Sequence, residues 1–273
     1  MPTYTTDDQV TITYRDLGSE GGEVVLFVHG WMMNGHVYDD VLGLLDTSAL
    51  RCVVPDLRGA GESDKPAGGY TLGRYAADLE GLIRGLGCER VTLVGHSMGG
   101  QLVQLVAASM PKKIAGVVLI NTVPASGIPL PEDAQGLFRG ASDRESQATI
   151  LGMATVELSD ASRERLLAMG ATVSAACIAE SFDAWRLGGF AERLSSITSP
   201  VLVIATDDPF LPPDFLRQAV VAPIANARMA TLPGSGHYPL VERPAETAAV
   251  IESFLAGLGL GSGISAASSS SAS

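Results

Sequence analysis

The sequence predicts an α/β architecture: a mostly parallel central sheet with helices on both faces and one inserted block of helices. Three observations predict it. Short apolar runs of strand length alternate with longer stretches whose apolar residues recur at helical spacing. The alternation stops between Thr122 and Thr198, where only helical stretches follow one another, and then resumes. At Gly95-His96-Ser97-Met98-Gly99, a serine flanked by glycines stands where a strand-like run meets a helix-like one.

The elements follow in order. Gln9–Arg15 alternates, with Val10, Ile12 and Tyr14 on one side, as a half-buried strand does. VVLFVHG, Val24–Gly30, is continuously apolar and suits a central parallel strand covered on both faces. Val37, Tyr38, Val41, Leu42 and Leu45 space a helix, and RCVVPD, residues 51–56, is the next strand. LRGAGESDKPAGG is a long loop rich in glycine and proline. Leu72–Leu86 has helical spacing and ends near Gly87. VTLVG (91–95) is a strand, Gln101–Ser109 a helix stopped near Pro111, and AGVVLIN (115–121) another buried strand.

The loop PASGIPLPEDA opens the insertion, with helices expected near 132–139, 143–156, 160–172 and 174–187. The sheet resumes with PVLVIATDD (200–208) and ARMATLPGSGH (227–237), and a last helix covers about 244–256. The expected division is a core of 1–121 and 199–256 and a helical insertion at 122–198. GLGLGSGISAASSSSAS, residues 257–273, is of low complexity and is expected to be a disordered tail.

The chain of 273 residues is long enough to bury a substantial core. Thirty acidic against 18 basic side chains give a formal net charge of −12. That balance argues against nucleic acid or an anionic membrane as partner and leaves a small-molecule substrate. It does not specify an oligomeric state. Cys52, Cys88 and Cys177 form neither a disulfide framework nor a metal-ligand spacing, so no metal is expected and a reducing compartment fits. MPTYTTDDQVTITY lacks the basic start and apolar core of a secretion signal, and no apolar run approaches bilayer length. The expected location is the cytoplasm.

Alone, G-x-S-x-G fits a capping turn as well as a nucleophile. Its setting favours the nucleophile, because a tight strand-to-helix turn lifts a serine hydroxyl clear of the sheet. Gly95 and Gly99 leave room where side chains would meet backbone. The helix N-terminus turns free amides toward developing negative charge. No G-x-G-x-x-G opens an early βαβ unit, so no dinucleotide cofactor is expected.

A serine needs a base. The histidines are His29, His36, His96 and His237. His96 adjoins Ser97 and points away from its hydroxyl, which suits packing or orientation of the turn. His29 ends a buried strand and suits local hydrogen bonding; His36 suits the entrance or a helix cap. His237, in a flexible loop after the last strand, is the candidate base. Asp207 and Asp208 both follow the strand from Pro200 and are candidates for the orienting acid, in the chain order serine, acid, histidine. Asp56 reads as a turn former. The oxyanion donors expected are the backbone amides of Met98 and Trp31, the latter in the loop after Val24–Val28.

HGW at 29–31, DLRGAGESD at 56–64, GHSMGG at 95–100, DDPFLP at 207–212 and GSGH at 234–237 together resemble the α/β-hydrolase superfamily, over about residues 9–256. The likeness is to its serine-nucleophile branch with a helical cap, the esterases, lactonases and haloperoxidase-like enzymes. GHYPLVERP is similar to the family's GHxxxxExP. The family's acid usually stands four residues before a proline, which implies Asp208, four before Pro212, over Asp207. Ala205 and Ala60 depart from the family's usual glycine and histidine. A serine nucleophile is unlike the aspartate of haloalkane dehalogenases and epoxide hydrolases of this fold. The resemblance implies a catalytic set of Ser97, Asp208 and His237 that needs no cofactor, with 122–198 as the cap.

The implied function is cleavage of a small, largely apolar carboxylic ester or lactone through an acyl-enzyme. Met32, Met33, Phe138, Met153, Met169, Phe182 and Trp185 are available as pocket wall or as core. A carbon–carbon bond hydrolase of a vinylogous diketone is the alternative, with Arg139, Arg144, Arg186 or Asn34 holding a substrate anion. A cofactor-free dioxygenase is disfavoured by Asn121 and Thr122, where such enzymes resembling this framework usually carry the acid. A non-catalytic ligand receptor is the reading outside enzymes.

Overall fold

The computed structural model describes residues 1–260. Its strands are β1 (Thr3–Thr5), β2 (Thr11–Gly18), β3 (Glu23–Val28), β4 (Leu50–Pro55), β5 (Val91–His96), β6 (Ile114–Ile120), β7 (Val201–Thr206) and β8 (Ala227–Leu232). They form one eight-stranded sheet in the order β1-β2-β4-β3-β5-β6-β7-β8. β1 pairs antiparallel with β2, and β2 antiparallel with β4; every later neighbour is parallel. Val25–Val28 and Val117–Ile120 are fully buried, as strands covered on both faces must be.

The helices are α1 (Asp39–Leu42), α2 (Leu72–Gly85), α3 (Met98–Ser109), α4 (Glu132–Arg139), α5 (Arg144–Ala154), α6 (Asp160–Gly170), α7 (Ala175–Leu187), α8 (Pro213–Leu216), α9 (Pro239–Glu242) and α10 (Pro244–Gly257). The alternation read from the sequence is thus an α/β-hydrolase fold. Parallel pairing aligns the carboxyl ends of β3, β5, β6 and β7, with Val28 beside Gly95, His96 beside Ile120 and Ile120 beside Ile204. The loops that leave these ends share one edge of the sheet, where open α/β sheets bind ligands.

α4–α7 form the insertion between β6 and β7. Asp143, Ser159 and Ser174 cap α5, α6 and α7, each accepting the amide three residues on. The entry and exit of the insertion are stitched together: Ile128 N donates to Arg186 O at 3.0 Å and Gly189 N to Ala125 O at 2.9 Å. A methyl on Gly127 would lie 2.1 Å from Arg186 O, so this seam has no room for a side chain.

Several elements differ from expectation. β1 is added at the sheet edge by pairing with β2 and by Tyr4, which packs against α2 beside Gly81; its Thr-Tyr-Thr carries no apolar run. The helix expected over Val37–Leu45 is instead a 3₁₀ turn, Gly35–Tyr38, followed by the single turn of α1, which gives out at Gly43. α8 and the helical turn Arg217–Val221 were not expected, although Pro213 and buried Leu216 and Val220 at i, i+4 signal them. The tail prediction fails for 257–260: Leu258 and Leu260 pack half-buried against the core, and a methyl on Gly116 would lie 2.5 Å from Leu258 Cδ1. The remainder of that tail, 261–273, lies outside the described residues. No single helix among the described residues is long and apolar enough to cross a membrane.

Candidate active site

Ser97 occupies the turn from β5 into α3 with φ 55° and ψ −122°, a conformation strained for any residue with a side chain. Its surroundings hold it there. Ser97 N donates to Ile120 O at 3.0 Å, and Ser97 O accepts from Val123 N at 3.1 Å and Gln101 N at 3.2 Å. The glycines are steric requirements: a methyl on Gly95 would lie 2.5 Å from Gly99 O, and one on Gly99 2.2 Å from Val28 O.

The loop after β3 runs directly against the serine, since a methyl on Gly30 would lie 3.0 Å from Ser97 Cβ. His29 ties this loop down. Its Nε2 accepts from Leu57 N at 2.9 Å, which leaves Nδ1–H to donate to Gly30 O at 2.8 Å. Burial pushes the His29 imidazole below its ordinary pKa, with the Asp56 charge opposing. Asp56 does form the turn expected of it, accepting from Gly35 N and Glu62 N at 2.8 and 2.9 Å. The Trp31 indole donates to Ile178 O of α7 at 3.0 Å, fastening the loop to the insertion. Met98 opens α3, so its N–H has no helical carbonyl to donate to.

His237 stands in the loop after β8. Its Nδ1–H donates to Asp208 Oδ2 at 2.6 Å. Asp208 is 1 % exposed, and its other oxygen accepts from Phe210 N at 2.9 Å. Asp207 is exposed and instead accepts from Gly234 N at 2.7 Å, pinning the start of the histidine loop. The structure therefore joins His237 to Asp208, not to Asp207. Ser97 and His237 line the same cavity.

His96 supports the loop carrying His237. Its Nε2–H donates to His237 O at 2.8 Å, and the two rings lie 4.9 Å apart. Burial holds its imidazole well below the ordinary histidine range, helped by the neighbouring His237. Asn121 assists: its Nδ2 donates to Thr206 Oγ1, Gly236 O and His237 O at 2.8, 3.0 and 3.2 Å. His36 pairs with Asp39 at 2.9 Å on the surface. Cys177 lies buried beside Tyr75, 3.2 Å from its hydroxyl, and burial pushes the thiol up to about 11.

The cavity spans about 510 Å³, its open mouth included. Trp31, Phe138, Ile150, Trp185 and Phe210 are among the residues of its wall. Of the seven side chains offered as wall or core, Phe138 and Trp185 line the cavity and the other five do not. Met32 and Met33 are buried behind the loop, in a smaller space beside His29 and Tyr75, because the left-handed turn at Met32 (φ 63°) sends them inward. Phe182 is fully buried behind the wall, packed on Trp31 and Trp185. Met153 is 43 % exposed, since α5 turns Ile150 and Ala154 to the cavity instead. Met169 is buried without reaching the cavity. Ile150 and Ala154 were missed although their i, i+4 spacing marks one helix face, and Phe210 lay unread within DDPFLP.

The residues named for a substrate anion do not line the cavity. Arg139 pairs with Asp183 and Arg144 with Glu164 on the surface; Arg186 lies over the Phe182 ring, and Asn34 reaches Thr172. Among the described residues, no group of three or more His, Cys, Asp or Glu gathers as a metal site would.

Comparisons with known proteins agree with this architecture. The model of the Alpha/beta hydrolase family matches residues 25–250. A non-heme chloroperoxidase of Streptomyces lividans is 29 % identical over 89 % of this chain and 95 % of its own. A bifunctional esterase/perhydrolase of Acinetobacter calcoaceticus is 26 % identical over 85 % and 91 %. The structure of an esterase from Exiguobacterium antarcticum superposes with a TM-score of 0.86, at 22 % identity over 93 % of this chain and 98 % of that one. With the matched segment spanning β3 to α10, this chain belongs to the alpha/beta hydrolase family.

Proposed function

We propose that the protein is a serine hydrolase that cleaves small, largely apolar carboxylic esters or lactones through an acyl-enzyme. One observation carries this reading: a 2.6 Å Asp208–His237 hydrogen bond opens onto a cavity shared with Ser97, whose wall is otherwise largely apolar. Because Asp208 accepts from Nδ1–H, the Nε2 lone pair of His237 is left to take the Ser97 proton. The serine oxygen attacks the substrate carbonyl, and the Trp31 and Met98 amides receive the oxyanion. His237 then protonates the departing alcohol, and water repeats the sequence on the acyl-enzyme. α4–α7 act as the cap that shapes the acyl pocket.

Among the described residues, those lining the cavity include no arginine or lysine, which favours a neutral acyl group over the dienone carboxylates of carbon–carbon bond hydrolases. The relatives favour one second reading, in which hydrogen peroxide replaces water on the same acyl-enzyme and releases a peracid.

The test is a panel of p-nitrophenyl esters, lactones and ring-fission dienones, with and without peroxide, on the wild type and Ser97→Ala. Ester or lactone turnover that Ser97→Ala abolishes is expected, together with labelling of Ser97 by a fluorophosphonate. Undiminished turnover in Ser97→Ala would overturn the nucleophile.

A further inference from the structure

We propose that Glu242 is a positioning residue: its carboxylate clamps the loop of His237 to the turn between α5 and α6. The inference rests on His237 being the base of the proposed hydrolase.

The observation is a set of backbone donors converging on one side chain. Glu242 Oε1 accepts from Gly236 N at 3.1 Å and Tyr238 N at 3.2 Å, the residues on either side of His237. Glu242 Oε2 accepts from Val156 N at 2.8 Å and Glu157 N at 2.9 Å, and also lies 3.1 Å from Gly236 N. One carboxylate thus receives amides from two segments about eighty residues apart, |i−j| being 86 and 85 on the insertion side. Both segments are loop, with no sheet or helix ladder to use these donors.

A second contact joins the same two segments. His237 N donates to Ala154 O at 2.7 Å, and a methyl on Gly236 would lie 2.3 Å from that oxygen. The histidine peptide is therefore pressed against the end of α5. Ala154 also faces the cavity, so one residue belongs both to the pocket wall and to the support of the base. On the other side, His96 and Asn121 hold the His237 carbonyl to the sheet. Removal of Glu242 leaves the His237 loop held from the sheet side, by Ala154 and, more remotely at Gly234, by Arg243, which also pairs with Glu157. His237 must sit within reach of the serine hydroxyl to act as its base, and a 1 Å misplacement can cost on the order of a hundredfold. Glu242 touches neither the nucleophile nor the cavity, so it acts through His237.

The experiment uses the full chain with Glu242→Ala and Glu242→Gln. The glutamine keeps the bulk while turning an NH₂ toward two of the donors. Turnover of a p-nitrophenyl ester is measured per active site, the sites being counted by fluorophosphonate titration, with amide hydrogen exchange read at 154–158 and 234–238. Glu242→Ala is expected to lower kcat per site by on the order of 10- to 100-fold, to leave KM within about threefold, and to speed exchange in both segments. Glu242→Gln should fall in the same direction. Fewer sites with unchanged kcat per site would mean a purely structural role and overturns the proposal. So would faster exchange with kcat per site within twofold of wild type. If Ser97→Ala keeps the ester activity, the hydrolase reading falls by itself, and the exchange data still report whether the clamp exists.

Discussion

Asp208→Asn isolates the orienting acid. In the wild type, one carboxylate oxygen accepts from His237 Nδ1–H at 2.6 Å and the other from Phe210 N at 2.9 Å. An asparagine has one acceptor and one donor at these two places. If its oxygen keeps Phe210, its NH₂ faces Nδ1, which must then accept, and the imidazole proton moves to Nε2. An imidazole protonated at Nε2 has no lone pair there for the Ser97 proton. If the amide turns over, its NH₂ meets the Phe210 N–H inside a fully buried site, leaving both donors unsatisfied. The first arrangement conserves the fold and loses the tautomer. Tautomer loss in a serine triad is worth about 10⁴ in kcat, or about 5 kcal/mol at 1.36 kcal/mol per tenfold.

Asp207→Asn is the matched control. Asp207 is exposed and keeps an oxygen for Gly234 N, so a loss below tenfold is expected. The assay is steady-state hydrolysis of p-nitrophenyl butyrate, with stopped-flow detection of the acylation burst and a thermal melt on each variant. A well-folded Asp208→Asn within tenfold of wild type, or equal losses in the two variants, would refute the assignment.

Two further predictions address the scaffold. Gly99→Ala places a methyl 2.2 Å from Val28 O and 2.5 Å from His29 O, both backbone atoms that cannot step aside. Its cost should reach about 3 kcal/mol, the upper end for overpacking, and calorimetry should show Tm falling by roughly 6–12 °C. Gly136→Ala, with nothing within 4 Å and a helical position, should raise Tm slightly; a smaller drop for Gly99→Ala than 2 °C would contradict the geometry. The pH dependence of stability should carry the two buried histidines. His29 and His96 both have folded pKa values below the ordinary 6.5, so the unfolded chain takes up their protons first. Their contribution is complete above pH 6.5 and is lost as pH falls below it, at up to about 1.4 kcal/mol per pH unit for each. Asp8, whose carboxyl Arg58 holds low, adds its loss only below about its ordinary 3.8. Urea titrations at pH 7.5, 6 and 5 should show falling midpoints, and a flat stability across that range would refute it.

The sequence by itself determined the elements whose physics is local. Val24–Val28 and Val117–Ile120 read as buried parallel strands because continuous apolar runs of that length have few other solutions. The insertion helices were legible as successive helical stretches, and the structure shows Asp143, Ser159 and Ser174 capping three of them. The glycines around Ser97 announced a crowded turn, and the family motif singled out Asp208, whose bond to His237 the structure displays. β1 was invisible because its three residues gain their place from a partner strand.

Tertiary structure decided what each side chain faces. Met153 and Ile150 share one helix and one apolar character, yet the rotation of α5 against α4 and α6 sends the first to solvent and the second to the cavity. Met32 and Met33 follow Trp31 directly, and a single left-handed residue turns them away from the pocket that Trp31 lines. Glu242 stands in the sequence only as the acid of GHYPLVERP; folding brings the amides of 156 and 157 to it. Spacing along a chain fixes which residues share a face. Which face meets the cavity, and which distant donors meet one carboxylate, is fixed by packing between segments that the sequence holds far apart.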